Sequence, residues 1–198
     1  LVKFYKFISV MLHPIVIPTI GIILYFLLIP SGFNSNQKYA VLSLIFVTTY
    51  IIPLVILILF KKLKLIKSFK AESIKERKVP IAMMIVLFYL LGNTLKDISN
   101  LFDLGLLFYA TTLGLIFIYI FFAFKIKASL HLLSLGLTTS FFIILNYIYN
   151  ENLNIISCLL LAGMLGTARL HLKAHTQTEV YLGFLFGFIS PLIVFYIL

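Results

Sequence analysis

Long apolar runs, separated by short polar clusters, set the pattern of this chain. Seven such runs can be drawn, at about 4–29, 39–60, 79–95, 104–124, 132–149, 153–171 and 177–198. Each is roughly long enough to cross about 30 Å of hydrocarbon. Backbone groups inside lipid have to pair within their own segment, so the runs are expected to be helices. The predicted fold class is all-α: a polytopic transmembrane helical bundle of about seven spans, or six if the short third run does not cross. The polar breaks at Ser31–Asn36, Lys96–Asn100 and Asn150–Asn152 mark the turns. No internal repeat divides the chain, so 1–198 reads as one membrane-embedded domain.

Two stretches depart from simple alternation. The first run contains His13-Pro14 and Pro18, which predict a kink with a buried, hydrogen-bonded histidine. It is too long for a signal-peptide core and lacks a small-residue cleavage site, so it is expected to be a retained span. The second stretch, Lys61–Lys78, holds eight of the sixteen basic residues. Leu63, Ile66, Phe69 and Ile74 recur there at near-helical spacing and predict an interfacial amphipathic helix, most of whose lysines face lipid headgroups. Lys70 and Arg77, seven apart, would share one face of it.

Composition narrows the solvent and the partners. Hydrophobic residues make up 62% of the 198 and charged residues 11%, with a mean hydropathy of +1.14, which excludes an ordinary soluble domain. The net charge of +10 sits beside apolar spans, so anionic lipid headgroups rather than nucleic acid are the expected partner. Cys158 is the single cysteine and excludes an intramolecular disulfide. With alternating spans, Lys38 and Lys96 are the only basic residues on one membrane face, and the positive-inside rule puts the crowded face in the cytoplasm.

Against fourteen lysines, the chain has two arginines, Arg77 and Arg169. An arginine fork grips phosphate oxygens bidentately, which a lysine cannot do. Arg169 is followed by His175 and, one helical turn later, by Glu179. A carboxylate at that spacing can accept a hydrogen bond from one imidazole nitrogen, fixing the tautomer and leaving the other free to attack. A helix-capping ion pair of Glu179 with Lys173 or Arg169 is the plainer alternative. Gly183 and Gly187 continue the Glu179 face and predict close helix packing. At the head of the fifth run, His131 is a candidate general acid, and Ser129 with the neighbouring amides a candidate phosphate contact. Two spans separate Arg77 from His131 and two more separate His131 from Arg169, so these groups reach one membrane face. His171 and His175 have ligand-like spacing, but four histidines in all and an adjacent arginine argue against a metal, and no cofactor is expected. His171 is expected to pack or to line the pocket rim.

In order, Lys70-x6-Arg77, Ser129-x-His131 and Arg169-x5-His175-x3-Glu179 resemble the signature of the type 2 phosphatidic acid phosphatase family, shared with vanadium haloperoxidases and bacterial acid phosphatases. That signature reads Lys-x6-Arg-Pro, Pro-Ser-Gly-His and Ser-Arg-x5-His-x3-Asp. Here Pro80 stands three residues after Arg77, Leu130 and Ala128 replace glycine and proline, Ala168 replaces serine, and Glu179 replaces aspartate. The resemblance implies that His175 is the nucleophile, Glu179 its orienting carboxylate and His131 the acid for the leaving group. Lys70, Arg77, Ser129 and Arg169 would bind the phosphoryl oxygens. It implies a metal-independent membrane phosphatase acting on a lipid phosphate such as phosphatidate, phosphatidylglycerophosphate or a prenyl diphosphate, in a bacterial inner membrane. It also implies six spans with the site facing away from the cytoplasm, opposite to the charge asymmetry. A non-catalytic lipid-phosphate-binding or transport protein is the alternative. Oligomeric state is left open.

Overall fold

The computed structural model describes residues 1–30, 32–69, 73–151 and 155–198, and these are helical with no strand among them. In chain order the helices are α1 (Val2–Met11), α2 (Ile17–Leu28), α3 (Ser35–Phe46), α4 (Ile52–Lys62), α5 (Ile74–Lys96), α6 (Phe102–Phe121), α7 (Leu130–Tyr149), α8 (Ile155–His171) and α9 (Gln177–Ile197). A π-turn, Val47–Ile51, joins α3 to α4 as one rod, Ser35–Lys62, and a short 3₁₀ turn precedes α6. Five helices are long and apolar enough to cross a membrane: that rod, α5, α6, α7 and α9. Large apolar side chains such as Leu27, Tyr147, Leu160 and Tyr196 stand exposed on the outside, as a lipid-facing surface requires.

The helices begin and end where local chemistry dictates. Capping boxes start α3 (Asn34, Gln37), α5 (Ser73, Glu76) and α9 (Thr176, Glu179). The expected single first span is instead two short helices, about 15 and 18 Å long, joined by an elbow. Pro14 has no N–H and disfavours helical backbone at His13, so the ladder stops there. The amide of Ile15 caps the break by donating to His13 Nδ1 at 3.3 Å, and Pro18 sits in the first turn of α2. The eighth helix, at 17 residues, is also shorter than a full crossing.

The predicted interfacial helix over Lys61–Lys78 does not form. Lys64 adopts the left-handed conformation (φ 58°), and the Leu65 amide donates back to Phe60 O at 2.9 Å, which closes α4. Of the apolar residues there, Ile66 is buried against the bundle, Leu63 is exposed, and Phe69 is half-exposed at the cavity with the Lys61 ammonium over its ring at 4.2 Å. Lys70 lies outside the described residues.

The centre of the bundle is the α7–α9 pair. A Cβ on Gly183 would lie 2.5 Å from Ser129 O, and one on Gly187 would overlap Leu133 O, so the helices meet backbone to backbone as the small-residue spacing predicts. Helix α5 packs on α6, α6 on α9, α8 on α7, and α1 on α8. The α3–α4 rod touches the rest more lightly and buries little beyond Ile45, Thr48, Thr49 and Pro53. Because the atoms facing Gly187 are main chain, Gly187→Ala has no side chain to push aside. It is expected to cost about 1–3 kcal/mol. A detergent-solubilised thermal midpoint equal to that of the parent chain would show that α7 and α9 are not in this contact.

Candidate active site

The N-termini of α5, α7 and α9 and the C-terminus of α8 gather at one end of the bundle, as the count of spans requires, and the α1–α2 elbow joins them. They surround a cavity of about 930 Å³. Its mouth is lined by Lys6, Arg77, Lys127, Arg169 and Lys173, together with His13, His131 and His175, and, among the described residues, by no carboxylate. Deeper in, the wall is apolar, with Ile22, Pro53, Ile56, Met84, Phe88 and Leu115. Phe88 is eleven residues beyond Arg77 on α5, so the cavity runs about 16 Å along the helices. The shape is a cationic head chamber continued by a hydrocarbon-lined arm.

His175 sits in the α8–α9 reversal and is only 8% exposed. Its Nδ1 is 3.0 Å from Lys127 O and 3.1 Å from Glu179 Oε2. The carbonyl can only accept, and the carboxylate oxygen already accepts from Thr176 N at 3.0 Å, so Nδ1 must carry the proton. The neutral ring therefore presents a bare Nε2. Burial, followed by the charges of Arg169 and Arg77, holds His175 below its ordinary value, at about 4, against the upward pull of Glu179. A neutral, tautomer-fixed imidazole is a nucleophile or base, not a cation.

Glu179 stands behind the histidine rather than in the cavity. Lys127 N donates to its Oε1 at 3.2 Å, while Thr176 N and His175 Nδ1 both point at Oε2. The alternative of a cap is half realised: Glu179 closes the α9 capping box, but its partners are two amides and an imidazole instead of Lys173 or Arg169. Three N–H donors converging on one carboxylate offset the cost of holding it at the membrane edge.

On α8, Arg169 donates from Nη1 to Ser9 Oγ at 2.7 Å, and its buried Nε has no partner. Arg77, in the first turn of α5, lines the same mouth. His131, 9% exposed, donates from Nε2 to Ser9 O at 3.2 Å, because that carbonyl can only accept. Its Nδ1 is the nitrogen left to exchange a proton. His13 packs edge-on against His131, ring centroids 5.1 Å apart. The Ala168 methyl is fully buried.

Ser129 is placed differently from the expectation. It is 0% exposed, its Oγ has no partner, and it does not line the cavity. Its amide donates to Glu179 O at 2.9 Å, and its backbone faces Gly183, so the α7–α9 contact buries it in the wall. No side chain caps α7, and Leu130 lines the cavity at that helix start. His171 stacks on Tyr5 at 4.4 Å and does not line the cavity. Among the described residues, no group of three or more His, Cys, Asp or Glu is placed to hold a metal ion.

Sequence reasoning did not assign Ser9, His13, Lys6, Lys127 and Lys173 to this site. One signal was present: Ser9 and His13, four apart, are polar residues near the start of a mainly apolar run that begins on the site's face. Comparison of the chain with protein-family models, with curated proteins and with solved structures finds no match.

Proposed function

We propose that this chain is a metal-independent membrane phosphatase that hydrolyses a lipid phosphate through a phosphohistidine, in a bacterial inner membrane. The observation that carries this reading is the fixed tautomer of His175: Nδ1–H is held by two acceptors, and the ring lies at a mouth where the described residues supply five cations and no carboxylate. The motif order of the type 2 phosphatidic acid phosphatases supports it. The seven-crossing topology counts α1–α2 as one crossing and α8 as another, beside the five long helices.

In the mechanism, Arg77 and Arg169 hold the phosphoryl oxygens and spread their charge while the apolar arm takes the hydrocarbon. His175 Nε2 attacks phosphorus as the bond to the leaving oxygen breaks, and protonated His131 gives its Nδ1 proton to that oxygen. Glu179 stabilises the positive charge that grows on the His175 ring. Water then attacks the phosphohistidine, His131 takes a proton from it, the P–N bond breaks, and inorganic phosphate leaves. Splitting one displacement into two in-line steps is what a covalent nucleophile contributes. The departures at Ala168 and Leu130 remove a hydroxyl and a glycine from the family pattern, but an amide remains at Leu130.

The test is phosphate release by the purified chain in detergent with excess chelator, offered phosphatidate, phosphatidylglycerophosphate and undecaprenyl diphosphate. Release that persists in chelator is expected. Release that chelator abolishes would overturn the mechanism. A binding or transport role draws on the elbow at His13-Pro14 and the π-turn, because broken helices beside polar groups also build transport sites. Tracer uptake into liposomes without phosphate release would favour it.

A further inference from the structure

Helix α1 lies outside the stretch from Lys70 to Glu179 that carries the motif, yet it touches two groups of the mouth through one residue. Ser9 is 8% exposed and lines the cavity. Its hydroxyl accepts from Arg169 Nη1 at 2.7 Å, and its carbonyl accepts from His131 Nε2 at 3.2 Å.

The carbonyl is available because of the elbow. In an unbroken helix Ser9 O would accept from the amide of His13, but that amide turns to Val10 O at 3.3 Å, where the helix ends before Pro14. The freed carbonyl sits in the last turn of α1, at the negative end of the helix, and faces the His131 ring. The hydroxyl acts on the fork in a directional way. With Nη1 engaged by the Ser9 hydroxyl, the guanidinium is held in one orientation at the cavity wall, its Nε buried without a partner.

We infer that Ser9 is a positioning residue of this site, its hydroxyl fixing the Arg169 fork and its carbonyl fixing the His131 ring. The inference rests on the phosphatase reading. Ser9 is to His131 what Glu179 is to His175, with a backbone acceptor in place of a carboxylate, and it puts a hydroxyl beside Arg169 in a chain whose residue 168 is alanine. An elbow in the first hydrophobic segment thereby becomes part of the catalytic end.

The experiment is a double-mutant cycle of Ser9→Ala and Arg169→Lys, read as kcat/KM for phosphate release and, in parallel, as the Kd for inorganic phosphate in nanodiscs. Thermal midpoints serve as the check on folding. Ser9→Ala is expected to lower kcat/KM by about tenfold or more, the size of one hydrogen bond to a charged group. It should have almost no further effect in the Arg169→Lys background, because the contact it removes is already gone. The alkaline limb of the pH profile, where the general acid His131 loses its proton, should stay in place in Ser9→Ala, since the carbonyl to His131 remains. Full activity in Ser9→Ala, or independent effects that multiply, would overturn the inference while leaving the phosphatase reading intact. If the parent chain releases no phosphate but binds it, the same cycle is judged on Kd. If it neither releases nor binds phosphate, the reading fails and the inference fails with it.

Discussion

Glu179→Gln is expected to lower phosphate release by about 10²–10⁴-fold while leaving the bundle folded. Around the carboxylate the structure places three N–H donors: Lys127 N at Oε1, and Thr176 N with His175 Nδ1 at Oε2. An amide offers an acceptor at one end only. If its oxygen faces Thr176 and His175, its NH₂ collides with the Lys127 amide. If its oxygen faces Lys127, its NH₂ points at Nδ1, the ring proton moves to Nε2, and the attacking lone pair is lost. Both orientations spoil the site, and the second blocks the chemistry outright. The pH profile gives a second readout. Burial and the two arginines keep the parent His175 neutral down to about pH 4, so kcat/KM should not lose the nucleophile between pH 7 and 5 and should fall as pH drops through about 4. Glu179 is the group that raises this value, so its removal should move that limb further to the acid side. Unchanged kcat in the glutamine variant would mean that the carboxylate serves only as a helix cap.

His175→Ala is expected to cost at least about 10³-fold in release, because no covalent intermediate can form. The fold should tolerate the change: the lost bonds to Lys127 O and Glu179 are worth about 1 kcal/mol each, and Glu179 keeps its two amide donors. Substrate labelled with ³²P at the phosphoryl group should leave label on the parent chain, stable in alkali and lost in acid, and none on the variant. Label that persists in His175→Ala would place the covalent step elsewhere or remove it from the mechanism.

Much of the site's order was legible before any coordinates. The spacing of Arg169, His175 and Glu179, and the even number of runs between Arg77, His131 and Arg169, pointed to the end of the bundle where these groups meet, because helices in lipid must cross and return. The Glu179–Gly183–Gly187 face was legible for the same reason. Details that depend on how helices end were not. His13-Pro14 and Pro18 announced a kink in 4–29, but nothing in the sequence showed that it brings Ser9 to Arg169 and His13 to His131. Apolar periodicity over Lys61–Lys78 looked helical, but Ile66 is buried against the bundle, Leu63 is exposed, and Lys64 turns the chain. Ser129 stands at the motif's position yet faces α9, because Gly183 draws that backbone too close for the hydroxyl to reach the mouth. The apolar arm is assembled from residues of separate helices, and no single segment could announce it.

The lightly packed α3–α4 rod supplies Thr49, Pro53, Ile56 and Leu57 to the arm and none of the five cations to the mouth. The rod thus adds to the arm without adding to the mouth, whereas α5 and α7 contribute to both. Under the proposed function, mutational drift in residues 35–62 is expected to remodel the tail compartment while the phosphoryl-handling residues stay fixed, so new lipid preferences become accessible by exchanging that one rod.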